Sequence, residues 1–206
     1  FQLNPNYLPV INKLALIYQR NNYAEKSLIM ANKALSIDKN NLLSKINYSL
    51  ALTINNRLEE AIDIFKEIIK IQPTGSNFKN LGTAYRDIGM LDKSHEYFLK
   101  ALEDTPNDES VFFNLTASSL YNPNMEIVHR FEDILKTSDK LDFNQKTAIA
   151  FSLYRSYHKL EKHSVAGKYL VLGNEYSDTW IRSTIEREYN FINEIKSIFN
   201  TKFIKE

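Results

Sequence analysis

The chain has 206 residues, with 26 Lys and Arg against 25 Asp and Glu, and no cysteine. That length can bury a substantial core, the balanced charge supplies no strong field for nucleic acid or an anionic membrane, and the missing thiols exclude disulfide frameworks, cysteine nucleophiles and Cys-ligated zinc. No apolar run reaches the roughly 18–20 residues that cross a bilayer, no signal-peptide pattern opens the chain, and only 5 Gly and 5 Pro point to long helices joined by short turns, with the cytoplasm as the expected location.

Residues 1–6, FQLNPN, begin without Met and read as the end of a helical hairpin that starts upstream. Breaks then recur at Pro5, Lys39, Pro73 and Pro106, at intervals of 34, 34 and 33 residues. This is the length of one helix–turn–helix unit. The first unit, 8–41, sets Leu14, Ala15, Tyr18, Ser27, Ala31 and Ala34 at packing positions. The second, 42–74, sets Tyr48, Ser49, Leu52, Ala61, Phe65 and Ile68 there and stops at Pro73. In the third, 75–108, Phe78, Leu81, Gly82 and Tyr85 follow the i, i+3, i+4, i+7 spacing of one helical face. Ser94, Phe98, Ala101 and Pro106 follow. Gly82 has no Cβ and admits the second helix closely, Asp92 reads as the cap of that helix, and Pro106 ends it.

These positions resemble the tetratricopeptide repeat (TPR), W-x2-L-G-x2-Y…A-x3-F…P, with Phe in place of Trp and Ser in place of Ala. A fourth unit, 109–142, keeps Phe112, Leu115 and Thr116, but YNPN reshapes its turn. A fifth, about 147–177, carries Leu153, Tyr154, Tyr157, Ala166 and Leu170. Residues 178–200 read as one long capping helix with a stripe of Trp180, Ile181, Ile185, Tyr189, Ile192 and Ile195. The expected fold is all-α: a single TPR α-solenoid domain, a right-handed superhelix of antiparallel helix pairs, closed by that helix.

Catalytic chemistry is not visible. His158 and His163 are five residues apart and are not expected to share a helical face, and no HExxH, phosphate loop or G-x-S-x-G is present. The expectation is no metal, no cofactor and no enzymatic activity in this chain.

The inner wall of such a stack is built from the first helix of each pair. Ser76, Asn80, Thr83 and Asp87 make a polar face beside the packing face of the third unit, flanked by Lys79 and Arg86. The corresponding positions hold Lys13 and Arg20 in the first unit, Asn47, Leu50 and Ile54 in the second, Asn114 and Tyr121 with neighbouring Phe113 in the fourth, and Arg155 in the fifth. Asn47, Asn80 and Asn114 share one slot. A primary amide there can bind a peptide backbone through its donor and its acceptor, as asparagine ladders do in some TPR arrays, or it can brace the neighbouring helix. Protein or peptide is the expected partner, with no nucleic acid and no membrane, and self-association through the end helix is the alternative.

Residues 148–204 are also similar to the junction of bacterial TPR proteins that continue into a sulfotransferase domain. Gly173-Asn174 match the end of the last repeat there, and Ile195, Phe199, Asn200, Phe203 and Ile204 match a closing helix run. The resemblance implies a non-catalytic region that recruits an acceptor for, docks onto, or dimerises its own C-terminal sulfotransferase domain.

Overall fold

Ten helices carry the described residues: α1 (Leu8–Arg20), α2 (Ala24–Ile37), α3 (Leu42–Ile54), α4 (Leu58–Ile71), α5 (Gly75–Asp87), α6 (Leu91–Asp104), α7 (Glu109–Ala117), α8 (Met125–Thr137), α9 (Phe143–Lys159) and α10 (His163–Phe203). The structure is a computed structural model describing residues 6–137 and 139–203, without the side chains of 191, 192 and 194–203. No strand occurs among the described residues. The chain falls into two compact units, one ending at Tyr121 and the other beginning at Asn122.

The tight turns within the helix pairs repeat one piece of backbone chemistry. Asn22, Asn56 and Gly89 each adopt positive φ, at 59°, 58° and 81°. Beyond each, the next N–H reaches back to the last turn of the helix: Tyr23 to Tyr18 O (2.8 Å), Arg57 to Leu52 O (2.9 Å) and Met90 to Tyr85 O (2.9 Å). This is a Schellman cap, which needs a residue that tolerates the left-handed region; Asn and Gly do so at least cost. The turn between α9 and α10 repeats it with Glu161 (φ 58°) and a bond from Lys162 N–H to Tyr157 O of 2.9 Å. The turn after α7 does not: that helix stops at Ala117, and Ser118 is extended.

In the first unit, α2, α4 and α6 each pack on the helix before and the helix after them. Leu52, Ala61, Ile62, Phe65, Ile68, Leu81, Ala84 and Tyr85 form one buried cluster across the second and third repeats. Gly82 lets α6 approach α5, since a Cβ there would lie 3.0 Å from the ring of Phe98. Asp92 is not the cap. The turn at Gly89 starts α6 at Leu91, which leaves the Asp92 carboxylate in the first helical turn, where it still favours the helix dipole.

In the second unit α9 begins at Phe143, earlier than the 147 expected. Asp142 accepts from Gln145 N–H while the Gln145 side chain accepts from Asp142 N–H, a complete capping box. The helix expected over 178–200 has no separate start: α10 runs unbroken from His163 to Phe203. Gly173-Asn174 does not stop it, because no proline follows to break the hydrogen-bond ladder. Leu170, Val171, Trp180, Ile181, Ile185 and Tyr189 of α10 are exposed. The side chains of Ile192 and Ile195 of the expected stripe, and residues 1–5, lie outside what is described.

Tyr157 of α9 and Tyr169 of α10 stack at 5.7 Å with their planes 5° apart. Both hydroxyls donate to Glu132 Oε1, at 2.8 and 2.6 Å. Burial first, then the Glu132 carboxylate, raises both phenols, Tyr157 to about 12. An unfolded tyrosine loses its proton at about pH 10, while the folded pair keeps it. The unfolded state therefore binds fewer protons above that pH, and stability should fall as pH rises from about 10 to about 12. Urea midpoints followed by circular dichroism would show it, with a shallower fall in Glu132→Gln. An equal slope in that variant would remove the Glu132 charge as a contributor.

Candidate functional site

The first helices of the pairs in the first unit are α1, α3, α5 and α7, and their side-chain links separate the three asparagines of the shared slot. Asn47 is 5% exposed. Its Nδ2 donates to Asn12 Oδ1 at 3.0 Å and to Asn12 O at 3.2 Å. Asn12, itself 4% exposed, donates to Ser44 Oγ at 3.0 Å, and Ser44 leans on the N-cap Asn41 of α3. Asn47 thus braces α1 against α3, and its donor is not presented to a ligand.

Asn80 differs. It is half-buried on α5, and among the described residues its side chain has no hydrogen-bond partner. The reason lies one repeat back, where Ile46 stands at the position equivalent to Asn12. An alkyl side chain offers an amide neither donor nor acceptor. Thr83, one turn further along α5, is half-buried and equally without a side-chain bond. Asn114 is partly committed: its Nδ2 donates to Ser110 O at 2.8 Å, and its Oδ1 accepts from the Arg86 guanidinium.

The charged flanks are anchored. Lys79 Nζ lies 2.8 Å from Asp108 Oδ2 and 3.1 Å from Ser110 Oγ. Asp108 also caps α7, accepting from the N–H groups of Ser110 and Val111. Burial alone would raise the Asp108 carboxyl, but the hydrogen bonds from Lys79 and Ser110 outweigh it and hold the group below its usual range. Arg86 donates to Asp87 Oδ1 at 3.0 and 2.8 Å as well as to Asn114. At the other end, Lys13 and Arg20 of α1 are exposed.

The remaining expected positions divide by burial. Leu50 packs on the core cluster and Ile54 is half-buried. Phe113 is half-buried. Tyr121 is 3% exposed and does not line a groove. Extending the face to Tyr121 needs α7 to run four residues past its actual end at Ala117, and the helix stops before it. Arg155 is half-buried on α9 in the other unit, with burial lowering its guanidinium pKa.

Two features escaped the sequence reading. Asn12 is the partner that decides what Asn47 does. The His158 and His163 rings stand 5.3 Å apart across the α9–α10 turn, since the turn folds back two residues that a single helix would separate. Among the described residues no group of three or more His, Asp or Glu could hold a metal ion, and no helix is long and apolar enough to cross a membrane.

The family model of the tetratricopeptide repeat matches residues 8–41, 44–74 and 80–108. Solved structures of similar fold include the nearly identical TPR-like repeats of a Podosopora anserina protein assigned as a kinesin light chain: 16% identity over 88% of this chain and 100% of that one, TM-score 0.65. Pseudomonas aeruginosa pilF is 18% identical over 82% of this chain and 76% of its own, TM-score 0.64. YrrB, a TPR protein with an unusual peptide-binding site, is 18% identical over 90% of this chain and 94% of its own, TM-score 0.58. At such identities the likeness is one of fold. No curated protein matches the sequence. The repeat period, the recurring Schellman turns and the family match agree: the chain carries three tandem tetratricopeptide repeats between residues 8 and 108.

Proposed function

We propose that this chain is a protein-interaction scaffold that binds an extended peptide or a partner's extended segment along the face of α1, α3, α5 and α7. The observation that carries the reading is the uncommitted amide of Asn80, beside the uncommitted hydroxyl of Thr83, between charged side chains already held in place. Fixed flanks lower the ordering cost of binding, and a free amide can pair both main-chain groups of a peptide. Lys13 and Arg20 at the α1 end favour an acidic residue there.

Selection of displayed random peptides on the protein, followed by titration of the selected sequences, tests this. Asn80→Ala is expected to weaken them at least tenfold, and Arg20→Glu to weaken those with an acidic end, with unfolding curves unchanged. Selected peptides that bind Asn80→Ala and Thr83→Val as well as the parent would remove the reading.

The resemblance of residues 148–204 to a sulfotransferase-linked TPR region adds a finer expectation, that this scaffold serves such a domain in a longer polypeptide. Gly173 of the Gly173-Asn174 pair has a packing reason of its own, because a Cβ there would lie 2.8 Å from the Phe151 ring. Ile195, Phe199, Asn200, Phe203 and Ile204 lie outside the described side chains. The expectation therefore rests on sequence, and a coding sequence without a sulfotransferase domain downstream of Glu206 would end it.

A further inference from the structure

Helix α3 presents a second side to solvent, away from the slot of Asn47. At 3.6 residues per turn, Lys45 lies about 160° around the helix from Asn47. There α2, α3, α4 and the α2–α3 connection line an open cleft of about 390 Å³, within the range of roughly 300–1,000 Å³ typical of small-ligand sites. Leu35, Tyr48 and Ile64, all half-buried, give it an apolar lining. Its polar groups come from Asn32, Ser36, Lys39, Lys45 and Glu67, the Ser36 hydroxyl already donating to Lys33 O. Lys45 and Glu67 form a long pair of 3.5 Å in which the Glu67 side chain is 62% exposed, so they hold each other weakly. Lys39 and Asn32 are exposed, and among the described residues Lys39 has no ion-pair partner and the Asn32 side chain no hydrogen bond. Two ammonium groups against one carboxylate leave the cleft one positive charge in excess.

We propose that this cleft binds the C-terminal residue of a peptide, with an apolar side chain inward and the free carboxylate on Lys39 and Lys45. The charge excess calls for one anionic group, and Glu67 disfavours a dianion such as phosphate. The apolar lining of three side chains matches one Leu-sized or Phe-sized group rather than a long acyl chain. Asn32 offers a donor and an acceptor to the amide that precedes the terminal residue, which a fatty acid lacks. The site is separate from the face that carries Asn80, and the two can be occupied independently.

The test is a two-dimensional NMR titration of the isotope-labelled full chain with N-acetyl-Ala-Leu, its C-terminal amide and decanoate, each to several millimolar. The dipeptide acid is expected to shift the resonances of Leu35, Lys39, Tyr48 and Ile64. The amide should bind at least tenfold more weakly, as should the acid to Lys39→Glu, a surface change that leaves the rest of the spectrum in place. Asn80→Ala should leave this binding unchanged. The proposal is overturned if the acid gives no shifts at millimolar concentration, if its shifts centre on Asn80 and Thr83, or if acid and amide bind alike. Tighter binding of decanoate than of the dipeptide would also overturn it, by assigning the cleft to a fatty acid.

Discussion

Phe98→Ala should lower the free energy of unfolding by about 3–5 kcal/mol, the usual cost of removing a fully buried phenylalanine. Phe98 is 1% exposed and stands against the one face of α5 that has no Cβ. Gly82→Ala tests the same contact from the other side. The new methyl would lie 3.0 Å from Phe98 Cδ1 and Cε1, and a buried ring has little room to yield. Overpacking costs about 1–3 kcal/mol, whereas the gain in helix propensity is at most about 1 kcal/mol, so a net loss is expected. Adding Phe98→Leu to Gly82→Ala makes room for the methyl, and the pair should cost less than the sum of the single changes. Urea titrations of the four proteins close the cycle. Strict additivity would mean that Gly82 and Phe98 do not hold the third repeat together as a pair.

Asn47→Ala should cost about 1–3 kcal/mol, because it leaves Asn12 Oδ1 buried without its donor. Asn80→Ala, at the same position of the next repeat, should stay within about 0.5 kcal/mol, as a substitution that removes no internal bond. The contrast is the informative part. Measured by thermal or urea unfolding, it assigns Asn47 to stability and leaves Asn80 to binding. An Asn80→Ala protein as destabilised as Asn47→Ala would show a hidden bracing role and weaken the proposed binding face.

These two asparagines also show how far the sequence could be read. The 34-residue period, Gly82 and the packing residues place the repeats, because packing positions are set by helical geometry that every copy shares. Asn47, Asn80 and Asn114 look equivalent by that same geometry. What separates Asn47 from Asn80 is the side chain one repeat earlier and one position over, Asn12 against Ile46, while Asn114 is held by Arg86 of the preceding repeat and by Ser110 O of its own helix. Polar pairing between repeats depends on the side chain in that offset slot, which a search for recurring residues passes over. Tyr121 was misplaced for a related reason. A helical face extrapolates only as far as the helix does, and SSLYNPN ends α7 without the Schellman turn that the better-formed pairs use. The start of α9 was open to reading, since Asp142 and Gln145 have capping-box spacing ahead of an apolar run.

The Asn12–Asn47 link has a consequence for how such an array can be rearranged. By the positions of their packing residues the first three repeats look alike. The buried amide of Asn47, however, finds its partner on the repeat that precedes it. Moving the second repeat to follow the third would set Asn47 opposite Lys79, an ammonium with no acceptor to offer its Nδ2. A chain with permuted repeats would lose this joint even where the apolar positions still met. The order of the repeats is itself encoded, in a pair of polar side chains that no single repeat contains.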